Sequence, residues 1–201
     1  MSDSTMENYY RFHAEIYDLS RPFFLFDRDK TSKELDIKEN DTVLEVGCGT
    51  GANLRYLAEK AGQGGHVYGL DCSESMLKKS REKIEKYGWT NVSLIKEYAE
   101  KYTLEEKADL ILFSYSLTMI PDWKAALDNA IENLKDRGKL VILDFYVWNR
   151  CEAVFNIWKK WLNINHVNIS DEPVKYLRGK SRDFKLLVFR GGYNYRLEAE
   201  F

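Results

Sequence analysis

Short apolar runs alternate with amphipathic segments along most of this 201-residue chain. The apolar runs typical of buried strands lie at 41–46, 66–71, 91–95, 108–114 and 139–145. The helical patterns between them lie at 52–62, 73–87 and 122–135. This alternation is typical of βαβ units, in which crossover helices join parallel strands. It predicts an α/β fold, a Rossmann-like three-layer sandwich with helices on both faces of a sheet.

A different pattern closes the chain. Strand-like runs at 184–190 and 193–200 flank Gly191 and Gly192, and a glycine pair tolerates the positive φ of a two-residue hairpin turn. A hairpin makes neighbouring strands antiparallel. We therefore expect a seven-stranded, mostly parallel sheet with an antiparallel last strand.

The regions before the sheet and before the hairpin are less regular. Residues 1–35 carry aromatic side chains at near-helical spacing, which predicts an N-terminal helical extension. Before the hairpin, the pattern predicts a helix over 150–163 and then an irregular stretch through Pro173 and Gly179. No linker-like segment divides the chain, so we predict one domain, with its Rossmann-like core at 36–201.

The composition is that of a globular protein. The chain is 44% hydrophobic and 31% charged, and its length suffices to bury a core without disulfides. No stretch approaches the roughly 20 apolar residues that span a bilayer, and the N-terminal residues lack the order of a secretion signal. The three cysteines have no metal-like spacing. We therefore expect a cytoplasmic protein without a metal site.

Charge is distributed unevenly along the chain. Residues 1–145 contain 20 Lys and Arg against 26 Asp and Glu, whereas residues 146–201 contain 10 against 6. The acidic body argues against nucleic acid as a partner. For the basic, aromatic tail, peripheral contact with the inner membrane face stays open beside an ordinary solvated surface. The pattern does not determine the oligomeric state.

The strongest chemical signal directly follows the first strand. The sequence EVGCGTG runs from Glu45 to Gly51 and leads into a helix. Alternate glycines let the backbone turn sharply and approach a ligand, and the helix N-terminus presents free N–H groups to it. Twenty residues past Gly51, at the end of the second strand, Asp71 is placed to accept both hydroxyls of a ribose. These features predict a nucleoside-type ligand.

The glycine spacing distinguishes two classes of nucleotide ligand. Dinucleotide enzymes favour G-x-G-x-x-G, but here the third glycine comes one residue early and position 52 is Ala52. The charge of Glu45 would repel a pyrophosphate, whereas it suits the ammonium of a methionine moiety. S-adenosylmethionine has that ammonium and no phosphate, so these residues favour it as the cofactor.

The motif ExGxGxG with its distal Asp71 resembles the class I S-adenosylmethionine-dependent methyltransferases, over roughly residues 35–201. The resemblance implies S-adenosylhomocysteine as the product, and it implies that Tyr98 stacks on the adenine where the family often has Asp. Motif and resemblance together assign these residues to the cofactor: Glu45, Gly47, Cys48, Gly49, Gly51, Asp71, Cys72, Met76, Tyr98, Ala99 and Ser114.

Two further stretches narrow the resemblance. YDLSRPFFLFDRDK at 17–30 and YSLTMIPDWKAALDNAIENLK at 115–135 resemble bacterial phosphatidylethanolamine and betaine-lipid (diacylglyceryl homoserine) N-methyltransferases. This implies an amine of a lipid head group or related small molecule as the acceptor, and a lid or membrane-contact role for 1–35. C- or O-methyltransferases of quinones or small metabolites share the same core. They stay open as an alternative, as does a cofactor-binding protein without turnover.

Residues that could border the acceptor are few. Methyl transfer from a sulfonium is an in-line displacement, so positioning supplies most of the acceleration and no covalent nucleophile is needed. Tyr17, Tyr115 and Tyr146 offer rings to a cationic centre and hydroxyls to an amine. Asp144 ends the fifth strand, at the edge where α/β sheets bind ligands, and capping of the next turn is its alternative role.

Overall fold

The computed structural model describes residues 25–146 and 169–201. Three predictions therefore lie outside the described residues: the role of Tyr17, most of the helical extension at 1–35 and the helix at 150–163. Among the described helices, none is long and apolar enough to cross a membrane.

The described residues form one seven-stranded sheet. Its strands are β1 (Thr42–Val46), β2 (His66–Asp71), β3 (Val92–Lys96), β4 (Ala108–Ser114), β5 (Leu134–Phe145), β6 (Asp183–Phe189) and β7 (Asn194–Glu200). Their order across the sheet is β3-β2-β1-β4-β5-β7-β6. β7 pairs antiparallel with both β5 and β6, so it runs opposite to the other six strands of the sheet. The predicted Rossmann-like sheet with an antiparallel last strand is confirmed.

Helices cover both faces of the sheet. They are α1 (Arg28–Glu34), α2 (Leu54–Ala61), α3 (Glu74–Tyr87), α4 (Trp123–Glu132) and α5 (Glu172–Arg178). Val43 and Leu44 show the division, because neighbouring residues of a strand point to opposite faces. Val43 packs in a core with side chains of α2 and α3, and Leu44 packs in a second core with α4 and α5. The result is the three-layer sandwich that the alternating pattern predicts.

The strand order places a crevice at one end of β1. From β1 the chain moves to β2 and β3 on one side, and then crosses to β4 and β5 on the other side. In open α/β sheets, ligands bind outside the carboxyl ends of the strands at such a reversal point. The loops after β1 and β4 therefore face each other across the expected site.

The boundary between α4 and β5 differs from the prediction. The helix predicted over 122–135 ends at Glu132, and β5 begins at Leu134 instead of at residue 139. Leu134 pairs with Ala108, and the register then shifts before Lys139 pairs with Leu110. The helical sequence pattern runs past the true end of α4 and therefore hides the start of β5. That start depends on pairing with a distant strand across a β-bulge, which a local pattern does not show.

The hairpin turn and the segment before the hairpin also differ. Phe189 pairs with Asn194, so the turn contains four residues rather than two. Its first residue, Arg190, has a φ of 52°, and the two glycines that follow it also have positive φ values. The stretch predicted as irregular contains the short helix α5, which Pro173 enters at its first turn, where the missing N–H costs nothing.

Candidate functional site

A cavity of about 320 Å³ lies at the carboxyl ends of β1, β2, β3 and β4. The predicted site residues that line it are Glu45, Gly47, Cys48, Gly49, Asp71, Cys72, Met76, Tyr98, Ala99, Ser114 and Tyr115. The structure therefore brings together side chains that are spread over about 70 positions of the sequence, as the topology requires.

The glycine loop makes two close approaches. Gly47 has a φ of 73°, and a Cβ added there would lie 2.4 Å from the Cβ of Ser116, in the segment after β4. The N–H groups of Gly47 and Cys48 both donate to the carbonyl of Leu70, at 2.8 and 2.9 Å. The loop is therefore tied to the end of β2 while its bare backbone forms the floor of the cavity.

The Asp71 carboxylate is held in one orientation. Its Oδ2 accepts a hydrogen bond from the N–H of Gly49 at 2.9 Å, and its Oδ1 accepts one from the N–H of Ser73 at 2.9 Å. Ser73 caps the first turn of α3, where its hydroxyl accepts from the N–H of Met76. A carboxylate fixed by two backbone donors at a cavity wall is prepared to receive hydroxyl donors from a ligand.

Two buried polar side chains stand beneath the loop. The Asn53 amide donates to Oε1 of Glu45 at 2.5 Å, and both residues are buried. This contact fixes the carboxylate at the end of β1.

Burial, together with the charges of Asp71 and Glu45, raises the pKa of the Cys48 thiol well above its ordinary value. Cys48 is therefore a neutral wall residue and not a nucleophile.

The β3 end of the cavity combines apolar surfaces with an exposed ring. Met76 and Ala99 are buried, whereas Tyr98 is 40% exposed at the rim. The carbonyl of Ala99 accepts a hydrogen bond from the amide of Asn129, which fixes the loop after β3. This end of the cavity therefore offers apolar side chains and one aromatic ring to a ligand.

Tyr115 faces the cavity in a different way from the prediction. Its φ is 55°, and its hydroxyl donates to the carbonyl of Phe26 at 2.6 Å and accepts from the amide of Asn194 at 3.0 Å. Burial raises the pKa of Tyr115 well above its ordinary value, so the phenol keeps its proton. The hydroxyl is thus engaged by the protein, which leaves the ring to border a ligand.

Asp144 does not line the cavity, which corrects its predicted place beside the acceptor. Its side chain is fully buried. Oδ2 accepts a hydrogen bond from the N–H of Thr118 at 3.1 Å, and Oδ1 accepts one from the Thr118 hydroxyl at 2.8 Å. Its burial raises the pKa of this carboxyl to about 6. Asp144 thus holds the segment after β4, whereas the alternative role predicted for it was capping of the turn that follows it.

Two other predicted residues also lie away from the cavity lining. Tyr146 packs on the ring of Tyr195, with 5.3 Å between their centroids. Gly51 has a φ of 72°, and a Cβ there would lie 2.8 Å from the hydroxyl oxygen of Ser80. Gly51 therefore allows the loop to pack on α3, and the cofactor role that the resemblance implied does not include direct lining.

Sequence reasoning missed several lining residues: Leu25, Arg28, Asn53, Glu97, Glu100, Ser116, Met119, Ile120 and Pro121. Asn53 had a usable signal, because it occupies the start of the helix that follows the glycine loop. The stretch after Ser114 also had one, since it continues directly from a strand end that faces the site. For Arg28 the signal was the lid role expected of residues 1–35, because no local pattern connects Arg28 with the sheet.

Acidic side chains outnumber basic ones among the residues that line the cavity. They include four carboxylates, from Glu45, Asp71, Glu97 and Glu100, and one guanidinium, from Arg28. The Arg28 side chain is 17% exposed. Such a lining favours a ligand with net positive charge and one anionic group, and it opposes a pyrophosphate. Within the described part of the chain, no group of acidic, histidine or cysteine side chains could hold a metal ion.

Comparisons with known proteins agree with this geometry. The sequence model of a family described as a methyltransferase domain matches residues 37–187. A demethylmenaquinone methyltransferase of Shouchella clausii (strain KSM-K16) is 34% identical over 118 residues, which are 58% of this chain and 50% of that protein. One from Listeria welshimeri is 35% identical over 118 residues, with the same coverage of both chains. The chain thus spans about half the length of the curated relatives it matches.

A solved structure is similar over nearly the whole chain. A SAM-dependent methyltransferase from Aquifex aeolicus is 26% identical, with a TM-score of 0.69. The similarity covers 93% of this chain and 97% of that one. Fold and sequence comparisons therefore point to the same class of protein.

The close approach at Gly47 predicts the cost of adding a methyl group there. Gly47→Ala combines positive-φ strain with the collision against Ser116, so we expect a loss of about 2–3 kcal/mol in the free energy of unfolding. Gly88→Ala is the matched control, because its φ is also positive but a Cβ there meets nothing within 4 Å. It should cost about 1 kcal/mol. Equal losses in urea unfolding would contradict the account of the loop.

Asp144 predicts a dependence of stability on pH. Because the folded pKa is raised, the native state binds more protons than the unfolded state between about pH 4 and 6. The contribution of Asp144 to the free energy of unfolding should therefore fall as pH rises through this window. Relative to Asp144→Asn, the fall should be about 3 kcal/mol, measured by urea unfolding across the window. A stability difference that stays constant with pH would contradict this.

Proposed function

This chain belongs to the methyltransferase domain family, and on that premise we propose that it transfers a methyl group from S-adenosylmethionine to a small, largely apolar acceptor. It has the fold of the class I S-adenosylmethionine-dependent methyltransferases. The observation that carries the proposal is the charge of the cavity lining, four carboxylates against one guanidinium. S-adenosylmethionine has a complementary charge pattern, with a sulfonium, an ammonium and a single carboxylate.

Different lining residues would bind different parts of the cofactor. Asp71, oriented by two backbone donors, would accept the ribose hydroxyls, and Met76 with Tyr98 would border the adenine. Glu45 would attract the ammonium, since its carboxylate is buried at the end of β1 beside the glycine backbone. Arg28 would pair with the carboxylate as the one cation among the described lining residues.

When bound, S-adenosylmethionine supplies a methyl group on a sulfonium that is already a strong electrophile. What remains for this chain is to align the acceptor and to exclude water. The Ser116 hydroxyl donates to the carbonyl of Val46 at 2.6 Å, which ties the segment after β4 to the end of β1. The segment that would border the acceptor is thereby fixed.

The acceptor side of the cavity favours an apolar ring. Leu25, Tyr115, Met119, Ile120 and Pro121 form this wall, beside the β4 end of the sheet. An apolar-lined wall suits a quinone or a similar small metabolite, which would be methylated on carbon or oxygen. The name of the matched relatives, demethylmenaquinone methyltransferase, supports the same class of acceptor.

N-methylation of a lipid head group ranks second. An amine acceptor must lose its proton before it can attack, and a nearby base or anion helps to hold such a group. Among the described residues, the lining carboxylates lie in or after the ends of β1, β2 and β3, and the acceptor wall contains none. The segments expected to contact a membrane lie mainly outside the described residues, so membrane contact stays a prediction. A cytoplasmic location and a single domain also stay predictions.

Substitution of Asp71 tests cofactor binding. Asp71→Ala should weaken binding of S-adenosylhomocysteine by about 1–3 kcal/mol, because hydrogen bonds to an ionised group are lost. Titration calorimetry on the purified chain measures this. Asp136→Ala is the control, since Asp136 is an exposed acid outside the cavity lining. An affinity that is unchanged by Asp71→Ala would remove this residue from the site.

Labelled transfer tests the acceptor class. We expect the chain, incubated with methyl-labelled S-adenosylmethionine and a bacterial lipid extract, to label the quinone fraction, because the acceptor wall is apolar. Label in the amine-containing phospholipids would instead establish the head-group alternative. Cofactor binding with no label in lipid or water-soluble products would indicate a binding protein without turnover.

A further inference from the structure

The four residues from Leu25 to Arg28 lead into α1 at one wall of the cavity. Leu25 and Arg28 line the cavity. The two residues between them, Phe26 and Asp27, instead contact the end of the sheet that carries the β6–β7 hairpin. We call Leu25–Arg28 the roof segment. Whatever holds Phe26 and Asp27 also sets the position of the two lining residues.

The contacts that hold Phe26 and Asp27 converge on Asn194. This side chain is fully buried, and its amide nitrogen lies 3.3 Å from the carbonyl oxygen of Phe26, 3.2 Å from Oδ2 of Asp27 and 3.0 Å from the Tyr115 hydroxyl, so that two N–H groups are shared among three acceptors. Arg190 adds a hydrogen bond to Oδ2 of Asp27 at 3.1 Å, and its guanidinium lies 4.3 Å from the centre of the Phe26 ring. We call this set of contacts the latch.

The sheet topology explains why the hairpin reaches the roof. Because β7 runs antiparallel to β5, its first residue, Asn194, pairs with Phe145 at the carboxyl edge of β5. The cavity opens at that same edge. The C-terminal hairpin and the roof segment, distant in sequence, therefore meet above the acceptor wall.

Backbone strain concentrates in the latch. Five non-glycine residues of the described chain have a positive φ, and three of them are Asp27, Tyr115 and Arg190. Each such residue costs about 1–2 kcal/mol and persists only where the surroundings hold it in place. Strain that gathers around one contact set indicates that the geometry there is specified rather than incidental.

The far end of α1 is fixed separately. Arg196 of β7 donates to Glu34 at 3.0 Å and also pairs with Glu198. Loss of the latch would therefore release the start of α1 and leave its end attached. The change would be confined to the roof segment, where Arg28 lines the cavity.

Arg28 depends on this support because its own side-chain contacts are weak. Among the described residues, its guanidinium hydrogen-bonds only to the neighbouring Asp29, at 3.4 and 3.5 Å. Within residues 25–146 and 169–201, most of its five N–H donors therefore have no acceptor and are available to a ligand. A flexible, charged side chain binds a carboxylate well only if its backbone is fixed beforehand.

We propose that Asn194 and Arg190 are positioning residues that hold the roof segment so that Arg28 meets the carboxylate of bound S-adenosylmethionine. The C-terminal hairpin thus controls cofactor affinity although neither residue lines the cavity. This inference rests on the proposed function, in which Arg28 pairs with that carboxylate.

A double-mutant cycle tests the connection. Arg190→Ala, Asp27→Asn and Asn194→Ala should each weaken S-adenosylhomocysteine binding by about three- to tenfold in calorimetry, whereas in an Arg28→Ala background they should change it little. Arg182→Ala is the control, because Arg182 pairs with Asp136 at 3.0 Å in an exposed contact outside the lining. Equal losses in both backgrounds, or no loss in either, would overturn the proposal.

Hydrogen exchange tests the latch without the cofactor. In the unliganded full chain, Arg190→Ala and Asp27→Asn should speed amide exchange at the start of α1 and leave β1 unchanged. These two variants suffice if Asn194→Ala does not fold. Unchanged exchange would overturn the latch itself. If the wild-type chain bound no S-adenosylhomocysteine, the proposed function would fail, and exchange would still decide whether the latch exists.

Discussion

The site depends on how closely two loops approach each other at the reversal point of the sheet. The loop after β1 touches the segment after β4 so tightly that Gly47 has no room for a Cβ beside Ser116. Ser116 in turn donates to the carbonyl of Val46, which locks the two strand ends together. This contact leaves bare backbone on one wall of the cavity and directs the other wall toward the acceptor.

Around this contact, buried polar groups act through position rather than through chemistry of their own. Asp144 fixes the segment after β4 through Thr118, and the phenol of Tyr115 is bonded to the roof. Asn53 fixes Glu45 beneath the loop. Such an arrangement suits a reaction in which the cofactor already carries a strong electrophile, because orientation then supplies most of the acceleration.

Local sequence predicted the parts of the site that lie on one strand and the turn after it. The glycine loop and Asp71 were found because their chemistry follows β1 and β2 directly. Contacts between distant segments were not found: Asp27 and Asn194 are 167 positions apart. For Asp144 the strand end was predicted, but which way its side chain turns is decided by the packing of Thr118. The early start of β5 likewise depends on its pairing with Ala108.

The central claim is that this cavity is complementary to a cationic sulfonium donor and not to a dinucleotide. Titration calorimetry of the wild-type chain with S-adenosylmethionine and with NAD, in the same buffer, tests it most directly. We expect saturable binding of S-adenosylmethionine at one site and no measurable heat with NAD. Tighter binding of NAD, or no binding of S-adenosylmethionine by a folded sample, would contradict it.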